Sequence, residues 1–154
     1  VETWRDAMLH ASGQLDLSLG GEPKDLKTKE NHRRTLYGLI HRREPNQFLR
    51  IHDFPDPTAH APTRPQTITP LQQLFSLNGP FIQWQAEALA ANLMKIDGTE
   101  ARVNAAYKKL FQRVPRKTEM GIANQFFEGH ENDPTVWTQY THALLAGNEF
   151  QFIE

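Results

Sequence analysis

FPDPTAHAPTRPQTITPLQQLFSLN, residues 54–78, is where the character of the chain changes. Five prolines, at 55, 57, 62, 65 and 70, hold its first part extended. Each ring fixes φ, removes a backbone donor and pushes the preceding residue out of the α region. Thr69 then supplies a cap, Pro70 suits the first helical position, and Leu71, Leu74, Phe75 and Leu77 follow as a helix. So long a stretch of punctuation within a small chain predicts a packed, specific strap rather than a loose linker.

Downstream, the pattern is helical throughout. Asn78-Gly79-Pro80 breaks the first helix, and Ile82, Ala86, Leu89, Leu93 and Ile96 then recur at alternating spacings of four and three, a buried stripe. Asp97-Gly98 closes it. Thr99 and Glu100 open a helix with Val103, Ala106, Tyr107, Leu110 and Phe111 on one face, which Val114-Pro115 ends. Thr118 is the expected cap of the next, carrying Met120, Ala123, Phe126 and Phe127. Asp133-Pro134 starts the last, with Trp137, Tyr140, Thr141, Leu144 and Leu145 inward and Gly147 at its end. Consecutive helices on short loops imply antiparallel neighbours in a bundle.

Upstream, Trp4, Met8, Ala11 and Leu15 mark an amphipathic helix from Thr3, its expected cap, to about Ser12, stopped by Gly13. Glu22 to His32 is nearly without apolar residues and reads as an exposed or mobile loop. TLYGLIH (35–41) and FLRIHDF (48–54) read as two strands joined by the turn residues of REPN, a hairpin that needs helices to lie against. A helix over 33–43 is the competing reading. The fold class is therefore mainly α: a four- to five-helix bundle with a small extended or hairpin segment and the proline-rich strap across it. We expect one domain over 1–154, with the helix and strap in 1–68 and the bundle in 69–154. The opening VETWRD, without an initiator Met, points to a fragment of a larger protein or a processed product.

Nine Phe, three Trp and three Tyr among 154 residues are enough for a core and too apolar for disorder. A net charge of −1 argues against nucleic acid as a partner, although Lys24 to Arg50 holds eight bases against three acids. No apolar run is long enough to span a membrane. The absence of cysteine excludes disulfides, thiolate metal sites and covalent haem attachment within these residues, and no cofactor is expected there.

Candidate chemistry centres on the strap. His52, Asp53, Asp56 and His60 have metal-ligand character, but prolines interrupt them and the helical spacing of two ligands one turn apart is missing, so turn formation is preferred. Arg64, Thr67, Gln72, Gln73 and Asn78 flank or open the Thr69 helix, whose N-terminal N–H groups favour an anion. With Asp53 and Asp56, all of these but Gln73 form the candidate ligand-binding set. The preferred account is internal, with Arg64 paired to Asp53 or Asp56 and Asn78 closing the helix end. His142 reads as a packed or half-exposed imidazole of the last helix rather than a catalytic base. Neither a nucleophile elbow nor a phosphate-binding loop is present.

In order and spacing, several signatures resemble the planctomycete C-terminal domain of unknown function of the PSD-one type. They begin with RDAMLHASGQLD, Gly20-Gly21, Arg33-Arg34 and Tyr37, and continue through FPDP at 54–57, Arg64, Thr67 and Thr69-Pro70-Leu71-Gln72 to Leu77-Asn78. Arg113, Pro115, Glu119, Leu144-Leu145 and Asn148-Glu149-Phe150 complete them, so the resemblance spans nearly the whole chain. Two positions depart: His52 replaces a usually apolar or aromatic residue, and Arg116 stands where a capping Thr or Ser is common.

The resemblance implies export to the periplasm or cell surface and attachment to upstream domains, one of them cytochrome-like. It also implies an involvement with polysaccharide or electron transfer. It carries no catalytic residue across. The leading expectation is a non-catalytic interaction or scaffold module. One alternative makes the chain a wall of a haem-linked oxidoreductase or other enzyme acting on carbohydrate, with Asp53 and Asp56 as acid/base groups and Arg64 holding an anion. Another is a carbohydrate-binding module using Trp4, Trp84 or Trp137.

Overall fold

A computed structural model of the chain describes residues 1–44, 46–64 and 67–152; Pro65 of the strap and Pro45 of the expected turn lie outside them. Among these residues there are eight α-helices: α1 (Glu2–Ser12), α2 (Gln47–Ile51), α3 (Pro70–Asn78), α4 (Pro80–Leu93), α5 (Thr99–Phe111), α6 (Lys117–Phe127), α7 (Pro134–Ala146) and α8 (Asn148–Gln151). The mainly α expectation holds, and α3 to α7 fall where the sequence placed the bundle.

The core is built from the predicted stripes. Ile82, Ala86 and Leu89 of α4 are fully buried, together with Met8 and Leu9 of α1, Val103 and Ala106 of α5, Ala123 of α6, and Trp137 and Leu145 of α7. Ala86 has no bulk to hold α4 and α7 apart, and the Thr141 hydroxyl donates to its carbonyl at 2.9 Å. The Trp137 ring stacks on Phe127 with centroids 4.0 Å apart. Ile96, expected at the end of the α4 stripe, lies beyond the helix and is 36% exposed.

Three caps behave as the sequence predicts. Gly13 ends α1 in the left-handed region (φ 76°), where a side chain would be strained. Thr69 and Gln72 form a reciprocal capping box at α3, and Asp133 accepts the Thr135 N–H at α7. Two caps differ. Thr3 lies inside the first turn of α1 rather than at its cap. At α6 the cap position is Arg116, not Thr118, and the backbone N–H of Arg116 donates to the Glu119 carboxylate at 2.6 Å. The Arg113 guanidinium forks Glu119 and Glu149 at 2.7–2.8 Å, tying α6 and α8 to the end of α5. Led by that hydrogen-bonded fork, the surroundings hold the Glu119 carboxyl down to about 2.

The hairpin does not form. Residues Thr35–Tyr37 make a single 3-10 turn, and FLRIHDF enters the short helix α2, capped by Asn46 Oδ1, which accepts the Phe48 N–H at 2.9 Å. Phe48 and Leu49 are adjacent and both buried, whereas a strand would send neighbours to opposite faces. The competing helix over 33–43 is likewise reduced to that one turn.

The 22–32 loop is largely exposed, as expected, but it is anchored at two buried residues. Leu26 is buried against Phe48 and Leu49, and the buried Asn31 amide donates to the carbonyls of Lys24 and Asp25. Hydrogen-bonding side chains organise this region in place of an apolar pattern. Arg5 of α1, 1% exposed, donates to the carbonyls of Asn31 (2.5 Å) and Arg33 (2.9 Å) and to the Thr35 hydroxyl (3.3 Å). Arg33 donates to the carbonyls of Ser18, Gly20 and Glu22 and lies over the Tyr37 ring. Asp6 accepts from both the N–H and the hydroxyl of Thr35 at 2.7 Å.

Candidate functional site

A cleft of about 440 Å³ lies between the start of α1, the end of α2, the end of the strap, α3 and the C-terminal turn. Four of the six sequence candidates line it: Asp53, Arg64, Thr67 and Gln72. The other two do not. The Asp56 carboxylate accepts from the Thr58 N–H (2.8 Å) and hydroxyl (2.6 Å) in a local turn, away from the cleft. The Asn78 amide donates to the Leu74 carbonyl at 3.0 Å and closes the exposed end of α3, as expected of a cap.

Asp53 follows α2 with φ 57°, a left-handed conformation that Asp tolerates better than most side chains. Its carboxylate there receives the N–H and hydroxyl of Thr67, each at 2.8 Å, and the Gln72 amide at 3.4 Å. Gln72 spends its oxygen on the Thr69 N–H and its nitrogen also on the Ile51 carbonyl. One side chain thus caps α3 and binds it to the end of α2, and Asp53 latches both ends of the strap. Phe54, Pro55 and Pro57 are half-buried, with Phe54 against the Phe48–Leu49 cluster, whereas Ala59 to Thr63 is exposed; among the described residues the strap is packed only toward its start and tied at its ends.

Arg64 does not pair with Asp53 or Asp56. It forks Glu2 of α1 at 2.8 and 2.9 Å and lies 5.4 Å from the Phe54 ring centroid. Burial opposes the Glu2 charge, but its own backbone N–H and the Arg64 fork outweigh it and hold the carboxyl below its usual range. The Thr67 N–H, then burial working the other way and the Thr67 hydroxyl, leave Asp53 below its ordinary 3.8. Asp56 is lowered by the Thr58 hydroxyl and N–H. Both aspartates are therefore ionised at neutral pH, unable to donate a proton and weak as bases.

The latch is at full strength above pH 3.8 and is lost as the pH falls below it, because the unfolded chain then binds a proton that the folded carboxylate resists. Asp53→Ala is expected to lower stability by about 1–2 kcal/mol, since two donors lose their acceptor. Asp53→Gly recovers part of this by relaxing the backbone. Chemical denaturation of the two variants checks the order; equal stability of Asp53→Ala and the parent would remove the latch.

The His52, Asp53, Asp56 and His60 set does not assemble. Among the described residues no group of three or more His, Asp or Glu is placed to hold a metal ion. The His52 imidazole stacks on Trp4 with centroids 4.9 Å apart, meets Phe75 edge-on, and donates Nδ1–H to the Phe48 carbonyl at 2.9 Å. Burial in this aromatic cluster pulls it below its ordinary value, so it is neutral at pH 7. That explains why a histidine fits where an aromatic residue was expected: it serves as one.

The tryptophans are placed by packing. Trp137 is fully buried, which removes it as a sugar platform. Trp84 has the Lys29 ammonium 5.9 Å from its ring centroid. Trp4 lines the cleft but stacks on His52 and Phe48, and its indole N–H donates to Gln151 Oε1 at 2.6 Å. His142 is half-buried as expected, its Nε2 3.3 Å from the Ser76 carbonyl. Sequence reading missed Glu2, Ser76 and Gln151 as cleft residues and points to Trp4 only as a sugar platform. Glu2 lies 62 residues from Arg64 and Gln151 lies 75 from Ser76, so no local spacing could have paired them.

The elements that build this cleft, from α1 through the strap to α3, coincide with a recognised family. The sequence model of PSD1, described as a protein of unknown function (DUF1553), matches residues 1–127. The chain belongs to the PSD1 family. The PSD1 match takes in α1 to α6; the signatures at 144–150 lie beyond it, although α7 fills the same core. Comparison with curated proteins and with solved structures gives no match.

Proposed function

We propose that this PSD1 chain is a non-catalytic docking module of a larger exported polypeptide, and that α3 is the face through which it docks. The observation that carries the reading is the orientation of α3. Its polar edge turns toward the protein, with Ser76 buried and Gln72 half-buried, while Leu71, Leu74 and Leu77 are 55–56% exposed. An isolated exposed leucine is ordinary, but three on one helix face form a partner-sized edge. Ile68, 71% exposed, and Leu77 also border the cleft, so the apolar edge continues into it. The carboxylates and Arg64 that an enzyme would use are instead engaged with this chain's own groups, which supports docking over catalysis.

These residues hold no cysteine, so Leu74→Cys adds one thiol within them, and its labelling is read by mass spectrometry on the peptide that contains position 74. In the full polypeptide its maleimide labelling is expected to slow more than about tenfold relative to the same variant of this chain alone. Leu36→Cys, at a position 71% exposed and outside the proposed face, should label equally in both. Equal labelling at position 74 in the two settings would exclude α3 as the docking face.

A further inference from the structure

Asn78-Gly79 and Asp97-Gly98 are the two places where an Asn or Asp precedes glycine. At such a pair no side chain hinders the glycine nitrogen from closing a five-membered ring on the preceding Cγ. In an unfolded chain the Asn pair closes faster, because a carboxylate must be protonated before its oxygen can leave as water. The fold reverses that order.

Asn78 is the last residue of α3, where a helical ψ of about −42° keeps the next nitrogen away from its Cγ. Gly79 is buried, and its N–H donates to the Phe75 carbonyl at 2.7 Å. A Cβ built at Gly79 would come within 2.6 Å of that carbonyl oxygen, so the backbone has no room to turn. The Asn78 amide is itself held by the Leu74 carbonyl. Ring closure here requires the end of α3 to open first.

Asp97-Gly98, between α4 and α5, has none of these restraints. Both residues are exposed, and among the described residues neither the Gly98 N–H nor the Asp97 carboxylate has a hydrogen-bond partner. A Cβ built at Gly98 would meet no atom within 4 Å, and its φ of 87° is one that glycine adopts freely. The flanks are fixed instead. Arg102 Nε donates to the Ile96 carbonyl at 2.7 Å, and the Arg102 N–H to the Gly98 carbonyl at 3.1 Å. The free peptide link lies between two held points, so it can rearrange without opening either helix.

We propose that Asp97 is a site of spontaneous isomerisation to isoaspartate, and that the fold protects Asn78 from the matching deamidation. The Gly98 nitrogen gives its proton to water and attacks Cγ of the protonated Asp97 carboxyl. The N–Cγ bond forms, a Cγ–O bond breaks, and that oxygen leaves as water. Water then opens the ring. Where it breaks the bond from the Gly98 nitrogen to the Asp97 backbone carbonyl carbon, the chain runs on through Cγ and the old backbone carbonyl becomes a free carboxylate. Breaking N–Cγ restores aspartate. One water leaves and one returns, with no change of oxidation state. The new carboxylate is the group that isoaspartyl methyltransferases esterify, which makes residue 97 a substrate for that class of enzyme.

The test is to age the intact folded chain at neutral pH and physiological temperature beside the free peptides that contain each pair. Samples are labelled with isoaspartyl methyltransferase and methyl-labelled S-adenosylmethionine, and the label is placed by digestion and mass spectrometry. Deamidation of Asn78 is read from the mass of its own peptide. In the folded chain the label should accumulate at position 97 while Asn78 keeps its amide; in the free peptides Asn78 should react first. Asp97→Glu, which would have to close a six-membered ring, should lose nearly all of the label and leave Asn78 unchanged. Three results would overturn the proposal. One is no label at position 97 of the folded chain in the time that half of the free Asp97 peptide isomerises. The others are faster reaction of Asn78 than of Asp97 in the folded chain, and undiminished label in Asp97→Glu.

Discussion

Arg5→Met is expected to destabilise the chain by about 3 kcal/mol or more, because three buried acceptors lose their donor at once and each unsatisfied group costs about 1–3 kcal/mol. The methionine fills much of the space of the arginine stem, which separates loss of hydrogen bonding from loss of volume. Burial pulls the Arg5 guanidinium down to about 10, so the native side chain is charged at neutral pH and its removal relieves a buried cation. That relief is the opposing effect. It loses because the carbonyls of Asn31 and Arg33 lie under α1 and their segment supplies them with no other donor. For a chain of this length the melting temperature should fall by about 6–12 °C. The damage should also be local, with new proteolytic cleavage between α1 and Thr35, where the arginine bonds now hold the backbone. Thr35→Ala, which removes the 3.3 Å Arg5 contact and the hydroxyl bond to Asp6 but leaves both carbonyl bonds and the Thr35 N–H bond to Asp6, should cost less. A fall of less than about 1 kcal/mol in Arg5→Met would mean that packing, not this side chain, holds the loop.

Trp137→Ala should be comparably damaging, at about 3–5 kcal/mol, for a different reason. The indole is fully buried between α4, α6 and α7, stacks on Phe127, and has the Arg102 guanidinium 5.6 Å from its centroid. Its N–H donates to the Glu131 carbonyl at 2.9 Å, which fixes the loop that starts α7. Removal leaves a large void and takes one of two donors from the Glu131 carbonyl, which keeps the Arg102 guanidinium at 2.8 Å. Trp137→Phe restores most of the volume but not the donor, so it should fall well short of the alanine effect. Denaturant titration with the slope held constant is the measurement. If phenylalanine were as harmful as alanine, the Glu131 bond rather than the cavity would dominate. Residue 137 lies outside the stretch that matches PSD1, so a loss of this size would also establish that α7 is integral to the fold of the matched part.

The helical half of the chain was legible because its information is local. The stripe at 82, 86, 89 and 93 is itself the buried face of α4, and Thr69, Gln72 and Asp133 act on residues two or three positions away. Gly13 likewise ends α1 by its own conformation. Between α1 and the strap the reading failed where the order comes from long-range polar contacts. TLYGLIH has strand-like composition, but Thr35 is claimed by Asp6 and Arg5, which bend it into a single turn. The polar 22–32 segment looked free because its anchors are Asn31, Arg5 and Arg33, residue types whose burial no hydrophobic pattern reveals.

The candidate site divides in the same way. Asp53, Thr67 and Gln72 could be suspected from their places around the strap, and they do meet; Arg64 was assigned the wrong carboxylate because Glu2 is remote in sequence. Taken alone, the sequence determined the helices of the bundle, the caps of α3 and α7 and the family, since periodicity and capping act within a few residues. Only the tertiary structure decided that α3 faces outward with its leucines, that His52 serves as an aromatic packing residue, and that the buried Arg5 holds the backbone of Asn31 and Arg33. The physical reason is that a helix pattern states which residues share a face but not which way that face turns. That choice is made by hydrogen bonds such as Gln72 to Ile51, between segments the chain brings together only on folding.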